Sequence, residues 1–432
     1  MSTKLASGQK RWVGILPWVV CGLGAVFYCY EYLLRVAPSV MLPELMNTFH
    51  ISATGLGHLI AFYYYAYVPA QIPVGVLMDR YGPRFILTLA VLACSVGTFL
   101  FGGTELYWVA ACGRFLVGLG SAFAFVGVLK LASVWLPPNR FAFVSGMTTT
   151  LGMVGAISGQ MIMTGLVREL GWQETVIYSG IVGFLLTPII WLIIRDVPNA
   201  AASALQRQAK IEFSTLAKQV SAIALHRQMW INGFIGCLLY LPTSVFAEAW
   251  GVHYLQIAHG LTPSVAAVAV SMVFLGWAIG GPIVGLVSDK IHNRRMPLLI
   301  GAVVASIIMM VLIFGKTLPI PLILFMLLCF GMFSAAEVVC FAVGRELSAP
   351  HLAGTAVATT NFLIMLGGMI CQPAVGRILD LNWDGAMLNG VRQYSPEAYQ
   401  TALLMLPLGL LIAVGLVFLL KETHCKPVAV RA

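Results

Sequence analysis

Five ionisable side chains lie inside long apolar runs of this sequence: Glu31, Arg35, Arg114, Glu248 and Glu337. A charge at the centre of a bilayer costs about 2.5–3.5 kcal/mol on insertion scales, so such groups are paired, buried or functional. Glu31 and Arg35 stand four residues apart, which on a helix puts acid and base on one face within reach of each other. Three roles are open to the cluster of Glu31, Arg35 and Arg114. Glu31 neutralises the two bases for folding; Arg35 grips a substrate carboxylate or phosphate, which the planar guanidinium matches with two parallel hydrogen bonds; or Glu31 takes up a proton as the site opens. The last two are compatible. The second half offers Glu248 and Glu337 but no base near Glu248 to match Arg35. A cationic pole facing an acidic one suits a zwitterion, its carboxylate on Arg35 and its amino group on Glu248 or Glu337, with proton coupling or a helix contact the other reading of Glu337. Tyr28, Tyr32, Tyr64 and Asn361 are the expected walls of the site. Gln71, Gln160, Gln372 and the neighbouring Tyr63, Tyr65 and Tyr67 add polar groups, although tyrosines also collect at membrane interfaces. His58, His253 and His259 fall near helix ends and read as interfacial.

The elements that must carry these residues follow from composition. Of 432 residues, 59% are hydrophobic and 9% charged, whereas a soluble domain has roughly 45–50% apolar and about 25% charged residues. At about 20 apolar residues per membrane-crossing helix, the chain supplies about a dozen crossings and little else. The hydropathy pattern places them at 15–41, 55–78, 84–103, 106–129, 141–166, 174–195, 229–256, 264–287, 297–315, 319–344, 353–379 and 399–420. The expected class is an all-α integral membrane protein of two six-helix bundles, 1–195 and 229–432, joined by a polar linker at 196–228. The nine cysteines have no metal-ligand spacing and read as small apolar residues. The first run lacks the short apolar core and cleavage site of a signal peptide and reads as the first span.

The net charge of +9 would suggest nucleic acid in a soluble protein, but here it has a topological cause. With the N-terminus inside, nineteen of the 25 Lys and Arg fall on the cytoplasmic side and four opposite, the bias that orients membrane proteins. Both termini are therefore expected in the cytoplasm. The chain has no His-Glu-x-x-His helix, phosphate loop or Gly-x-Ser-x-Gly elbow, so neither an enzyme nor ATP hydrolysis is expected. No cofactor, metal or nucleic-acid partner is expected either.

Two connections repeat 210 residues apart. Gly75-Val-Leu-Met-Asp79-Arg80-Tyr-Gly82-Pro-Arg84 follows the second span, and Gly285-Leu-Val-Ser-Asp289-Lys290-Ile-His-Asn-Arg294 follows the eighth. A glycine before an acid and bases lets helices approach closely while the charges pair at the membrane surface. In these residues, and in Arg114-Phe-Leu-Val-Gly118-Leu-Gly120 of the fourth span, the sequence resembles the major facilitator superfamily over nearly its whole length. The resemblance implies that the two bundles rock about a midplane site, as a monomer. It makes Gly75, Asp79, Arg80, Arg84, Gly285, Asp289 and Lys290 a cytoplasmic gate latch, and places the helices of Glu31, Arg35 and Arg114 on the central cavity. Small-residue spacing at Gly152, Gly155 and Gly159 in the fifth span and at Gly276, Gly280, Gly281 and Gly285 in the eighth suits close packing of these helices. The fifth span lacks the Gly-Pro pair of the family's drug antiporters.

A narrower likeness lies in Tyr30-Glu31-Tyr32-Leu-Leu-Arg35-Val-Ala-Pro38-Ser39 and in Trp383-Asp384-Gly385 through Arg392, Tyr394, Ser395 and Tyr399. These stretches resemble the phagosomal amino-acid and nutrient transporters of intracellular bacteria. The resemblance implies a carrier in the bacterial inner membrane. The expected function is import of a small zwitterion, an amino acid, with a coupling proton taken up by Glu31 beside Arg114. The alternative is carriage of an organic anion or metal chelate such as a siderophore, in either direction.

Overall fold

The computed structural model describes residues 3–196, 220–221, 223, 225–316, 318–349, 352–388 and 390–426. The N-terminal bundle contains α1 (Gly14–Val40), α3 (Pro83–Gly102), α4 (Tyr107–Trp135), α5 (Phe143–Leu170) and α6 (Trp172–Ile193), with α2 between α1 and α3. The C-terminal bundle contains α7 (Arg227–His259), α8 (Pro263–Ile291), α9 (Arg295–Phe314), α10 (Ile320–Glu346), α11 (Ala353–Leu381) and α12 (Pro396–Leu419). These eleven are each long and apolar enough to cross a bilayer. The remaining span, α2, is made of Ala53–Ala70 and Val74–Tyr81. Its break at 71–73 is preceded by Pro69 and ends on Pro73, each of which lacks the N–H a helix interior uses and clashes with the carbonyl four residues back. The chain is thus all-α and membrane-spanning, twelve helices in two six-helix bundles. Most of the expected linker, 197–219, lies outside the described residues.

One small element departs from the all-helical expectation. Met387–Leu388 (β1) and Val391–Arg392 (β2) pair antiparallel between α11 and α12, with Gly385 and Gly390 in left-handed conformations, φ +93° and +80°, that only glycine adopts without cost.

Within the N-terminal bundle α3 packs on α4 and α6, and α1 on α5; within the other, α8 packs on α10, and α9 on α12. The bundles meet where α2 lies along α11 and α5 along α8. Large apolar side chains such as Leu192, Leu286 and Phe418 face outward, as a surface solvated by lipid requires, while Trp250, Tyr63, Tyr64 and Tyr254 are fully buried between helices.

The glycines expected to bring α5 against α8 act elsewhere. A Cβ on Gly155 would strike the Cys29 carbonyl of α1, and one on Gly276 the Leu328 carbonyl of α10, so both seat helices within one bundle. Between bundles the close approaches are Gly57 against Gln372 and Pro373, Gly376 against Ala53, and Gly368 against the Tyr64 ring. The hydropathy pattern marks small residues but not the direction each one faces.

Candidate functional site

α1 carries Glu31 and Arg35 into the interior on one face, as their spacing requires. The two are 0% and 3% exposed, with Arg35 Nη2 3.2 Å from Glu31 Oε1. The Arg35 Nε donates to the Tyr63 hydroxyl at 2.8 Å, and that hydroxyl donates to Glu31 Oε2 at 3.0 Å. The remaining nitrogen, Nη1, looks across the bundle interface to Glu248 Oε1 of α7 at 3.9 Å. Glu248 accepts hydrogen bonds from Tyr240 at 2.6 Å and from Tyr64 of the other bundle. Rings of Tyr32, Tyr63 and Tyr67 enclose the guanidinium, their centroids 4.3, 5.1 and 4.9 Å from Cζ, a cation–π box that suits arginine's weakly hydrated, delocalised charge. Tyr28 supports the box from behind, its ring edge-on to Tyr32 at 5.2 Å.

Two expected members sit apart. Arg114 is buried but turns to α1, donating to the Leu34 carbonyl at 3.0 Å and lying 5.4 Å from the Tyr63 ring. Its Nε has no partner among the described residues. Glu337 is buried where α10 tightens into a 3-10 turn at Ala335–Glu337, and the acids that face Arg35 are Glu31 and Glu248. Asn361 of α11 donates to Gln71 of α2 at 2.9 Å, a contact between bundles.

Tyr240, absent from the expected site, is a member because α7 is not α-helical throughout. Thr243–Trp250 is π-wound, and the Gly251 N–H reaches back five residues to Phe246. Pro242 opens this stretch by removing an N–H from the ladder. The only sequence signal was that proline, six residues before an acid.

The repeated connections share one face of the molecule, called the loop face here. Asp79 pairs with Lys130 of α4 at 2.6 Å, and Arg80 lies over Tyr81 at 5.5 Å. Arg84 stacks on Trp191 at 4.1 Å while its backbone N–H donates to Asp196 at 2.8 Å. In the second copy Arg294 binds Asp289 at 2.7 Å and Glu346 at 2.7 and 3.2 Å, the Arg294 and Arg295 N–H groups donate to Glu422 at about 2.9 Å, and Lys290 is exposed. Gly82 at φ +84° and His292 at φ +52° stand at the equivalent position and both take a positive φ where the preceding helix ends. Each motif is latched inside its own bundle. The close approach expected at Gly75 and Gly285 is not present: a Cβ on either would meet open space.

The opposite, far face is sealed. Asp380, at the end of α11, accepts from Ser52 Oγ at 2.6 Å, from the Thr54 N–H and hydroxyl at 2.9 and 2.5 Å, and from Tyr394 at 2.6 Å, while Arg392 lies 3.2 Å away. Tyr394 in turn accepts the Ala53 N–H at 3.0 Å. One bundle's carboxylate thus caps the N-terminus of the other's α2, where free N–H groups and the helix dipole favour negative charge. Of the bonds described between the bundles, Gln71–Asn361 lies nearest the loop face. The bonds described between the bundles therefore lie at the far face and the midplane, and the site between them is buried.

Two bundles around a charged, aromatic site at their interface, sealed at one rim, define a membrane carrier. The sequence model of the Major Facilitator Superfamily matches residues 21–371, and the chain belongs to that family of secondary transporters. It is 23% identical over 419 residues, 90% of this chain and 91% of the other, to the "Probable galactarate/D-glucarate transporter GudP" of Escherichia coli (strain K12). It is 24% identical over 283 residues, 64% of this chain and 66% of the other, to the "Probable sulfoacetate transporter SauU" of Cupriavidus necator. Among solved structures, a bacterial homologue of the human lysosomal transporter Spinster superposes with a TM-score of 0.76 at 17% identity, covering 95% of this chain and 97% of that one.

Proposed function

We propose that this protein imports a small organic anion bearing a carboxylate or sulfonate, together with a proton, by alternating access. The observation that carries the reading is Arg35, boxed by three tyrosines and held between a carboxylate from each bundle. Two carboxylates face this one guanidinium and compete with an entering anion for it, while Arg114 stands on the other side of Tyr63. If Glu248 or Glu31 takes up a proton, Arg35 is freed to bind the anion in its place. Tyr64, Tyr240 and Asn361 offer hydrogen bonds to substrate hydroxyls. The names of the two relatives, one for galactarate/D-glucarate and one for sulfoacetate, support an anionic substrate over the zwitterion expected from the sequence.

A second reading keeps the amino acid. Glu248 faces Arg35 across the interface at 3.9 Å, so a zwitterion entering between them would bring an ammonium to one and a carboxylate to the other. The likeness of Tyr30–Ser39 and Trp383–Tyr399 to the phagosomal transporters supports it. In either case we place the loop face and both termini in the cytoplasm, from the charge bias, and the protein as a monomer in the bacterial inner membrane. The bundles 1–195 and 229–432 move as the two bodies and the linker 196–228 tethers them.

Counterflow in proteoliposomes decides between the readings. Labelled D-glucarate, sulfoacetate and a mixture of amino acids are offered with and without an inward proton gradient, to wild type and to Arg35→Ala. Gradient-driven accumulation of an anion by the wild type alone is expected. Accumulation of amino acids alone would establish the second reading, and absence of any flux would refute both.

A further inference from the structure

The π-wound stretch Thr243–Trp250 holds Glu248, and two glutamines grip it from opposite sides. Gln160 of α5, in the other bundle, donates from Nε2 to the Ala247 carbonyl at 2.9 Å and to Ser39 Oγ of α1 at 3.0 Å. Gln372 of α11 donates to the Ser244 carbonyl, and its Oε1 accepts the Trp250 indole N–H at 2.9 Å. Both amides are fully buried, in the corresponding helices of the two halves. Five-residue winding is rare and is found at functional sites; here two carbonyls of the turn, of Ser244 and Ala247, each receive an outside donor.

We infer that Gln160 and Gln372 are positioning residues that keep α7 π-wound and so hold Glu248 against Arg35, with Gln160 the arm that lets go when the bundles separate at the far face. The geometry gives each glutamine a distinct task. Removing the extra residue of a π turn rotates the side chains beyond it by about 100°, one residue's turn of an α-helix, which would carry Glu248 away from Arg35. Gln372 opposes that rewinding from within its own bundle. Gln160 opposes it only while the bundles are in contact, so parting them releases α7 and breaks up the Glu31–Arg35–Glu248 arrangement in one movement. The Gln160 Oε1 has no partner among the described residues, and the two bonds described for this side chain are those its nitrogen makes.

The inference rests on the rocking of two bundles and not on the identity of the substrate, so its test uses none. Spin labels on p-acetylphenylalanine at positions 105 and 397, exposed on the far face of the two bundles, report the width of that rim in nanodiscs. Hydrogen exchange of the full-length protein reports the winding of 243–250. Gln160→Met and Gln372→Met each remove one donor at nearly constant volume. Both variants are expected to speed exchange in 243–250 at least tenfold, but only Gln160→Met is expected to raise the wide-rim population, at least threefold. Rim widths unchanged in Gln160→Met, or widened equally in both variants, would overturn the inference. So would unaltered exchange in 243–250. A purely structural role predicts equal loosening of α7 with no change at the rim.

Discussion

Arg35 is the residue on which the interior charge balance turns. Its removal would strand Glu31 and Glu248 without a counter-charge, and breaking a buried pair from one side costs about 3–5 kcal/mol. Arg35→Ala should therefore lower thermal stability by about that much, and adding Glu31→Gln should restore part of it; melting of the purified single and double variants checks both. Tyr240→Phe removes a hydrogen bond to Glu248 and should cost about 1.5–3 kcal/mol in the same assay, the range for bonds to charged groups. The Glu31–Arg35 pair was legible because helical spacing alone brings the two together. Arg114 was legible as a buried base but not its direction, since which bond a guanidinium makes depends on the neighbouring helix. Tyr240 and Asp380 were not legible: one joins the site through irregular winding, the other through a contact between bundles hundreds of residues apart in sequence.

At the scale of elements, the caps on helix ends carry the two rims. Asp380 caps α2 from across the interface, so Asp380→Ala should loosen the far face. A lost cap is worth about 0.5–2 kcal/mol, and a shift of 1.4 kcal/mol changes a population ratio about tenfold, so the wide-rim fraction should rise severalfold in the spin-label measurement. On the loop face, burial pushes the Glu422 carboxyl up, but the N–H groups of Arg294, Arg295 and His424 outweigh it and hold the carboxyl below the usual 4.5. A lowered folded-state value means stability present above about pH 4.5 that is lost as pH falls through the folded value. Glu422→Gln should therefore be less stable than wild type at pH 6–7, with the difference shrinking in acid, as urea or thermal melts across that range would read. The positions of the spans followed from hydropathy. The break in α2 and the π turn of α7 did not, because a uniform helical period has no place for either.

At the scale of the molecule, composition and the repeated Gly-x-x-x-Asp motif were enough for the fold, since few architectures bury a dozen apolar helices in two equivalent halves. The state of the carrier was not in the sequence. Motifs that are latches between bundles in the family reading are here bonded within each bundle, and the contacts that join the halves lie at the far face and the midplane. Substrate class likewise escaped the sequence, because the same arginine and glutamates serve an anion or a zwitterion, depending on which acid holds a proton.

The interruption of α2 between Ala70 and Val74 gives this carrier an articulated strut. Its longer piece is tied to the opposite half through Asp380 and Gly376, its shorter piece to Lys130 of its own half through Asp79. A tilt imposed at one rim can be absorbed at the prolines instead of being levered straight to the other, so the two gates can change one after the other, with the cargo enclosed between them at no point open to both sides.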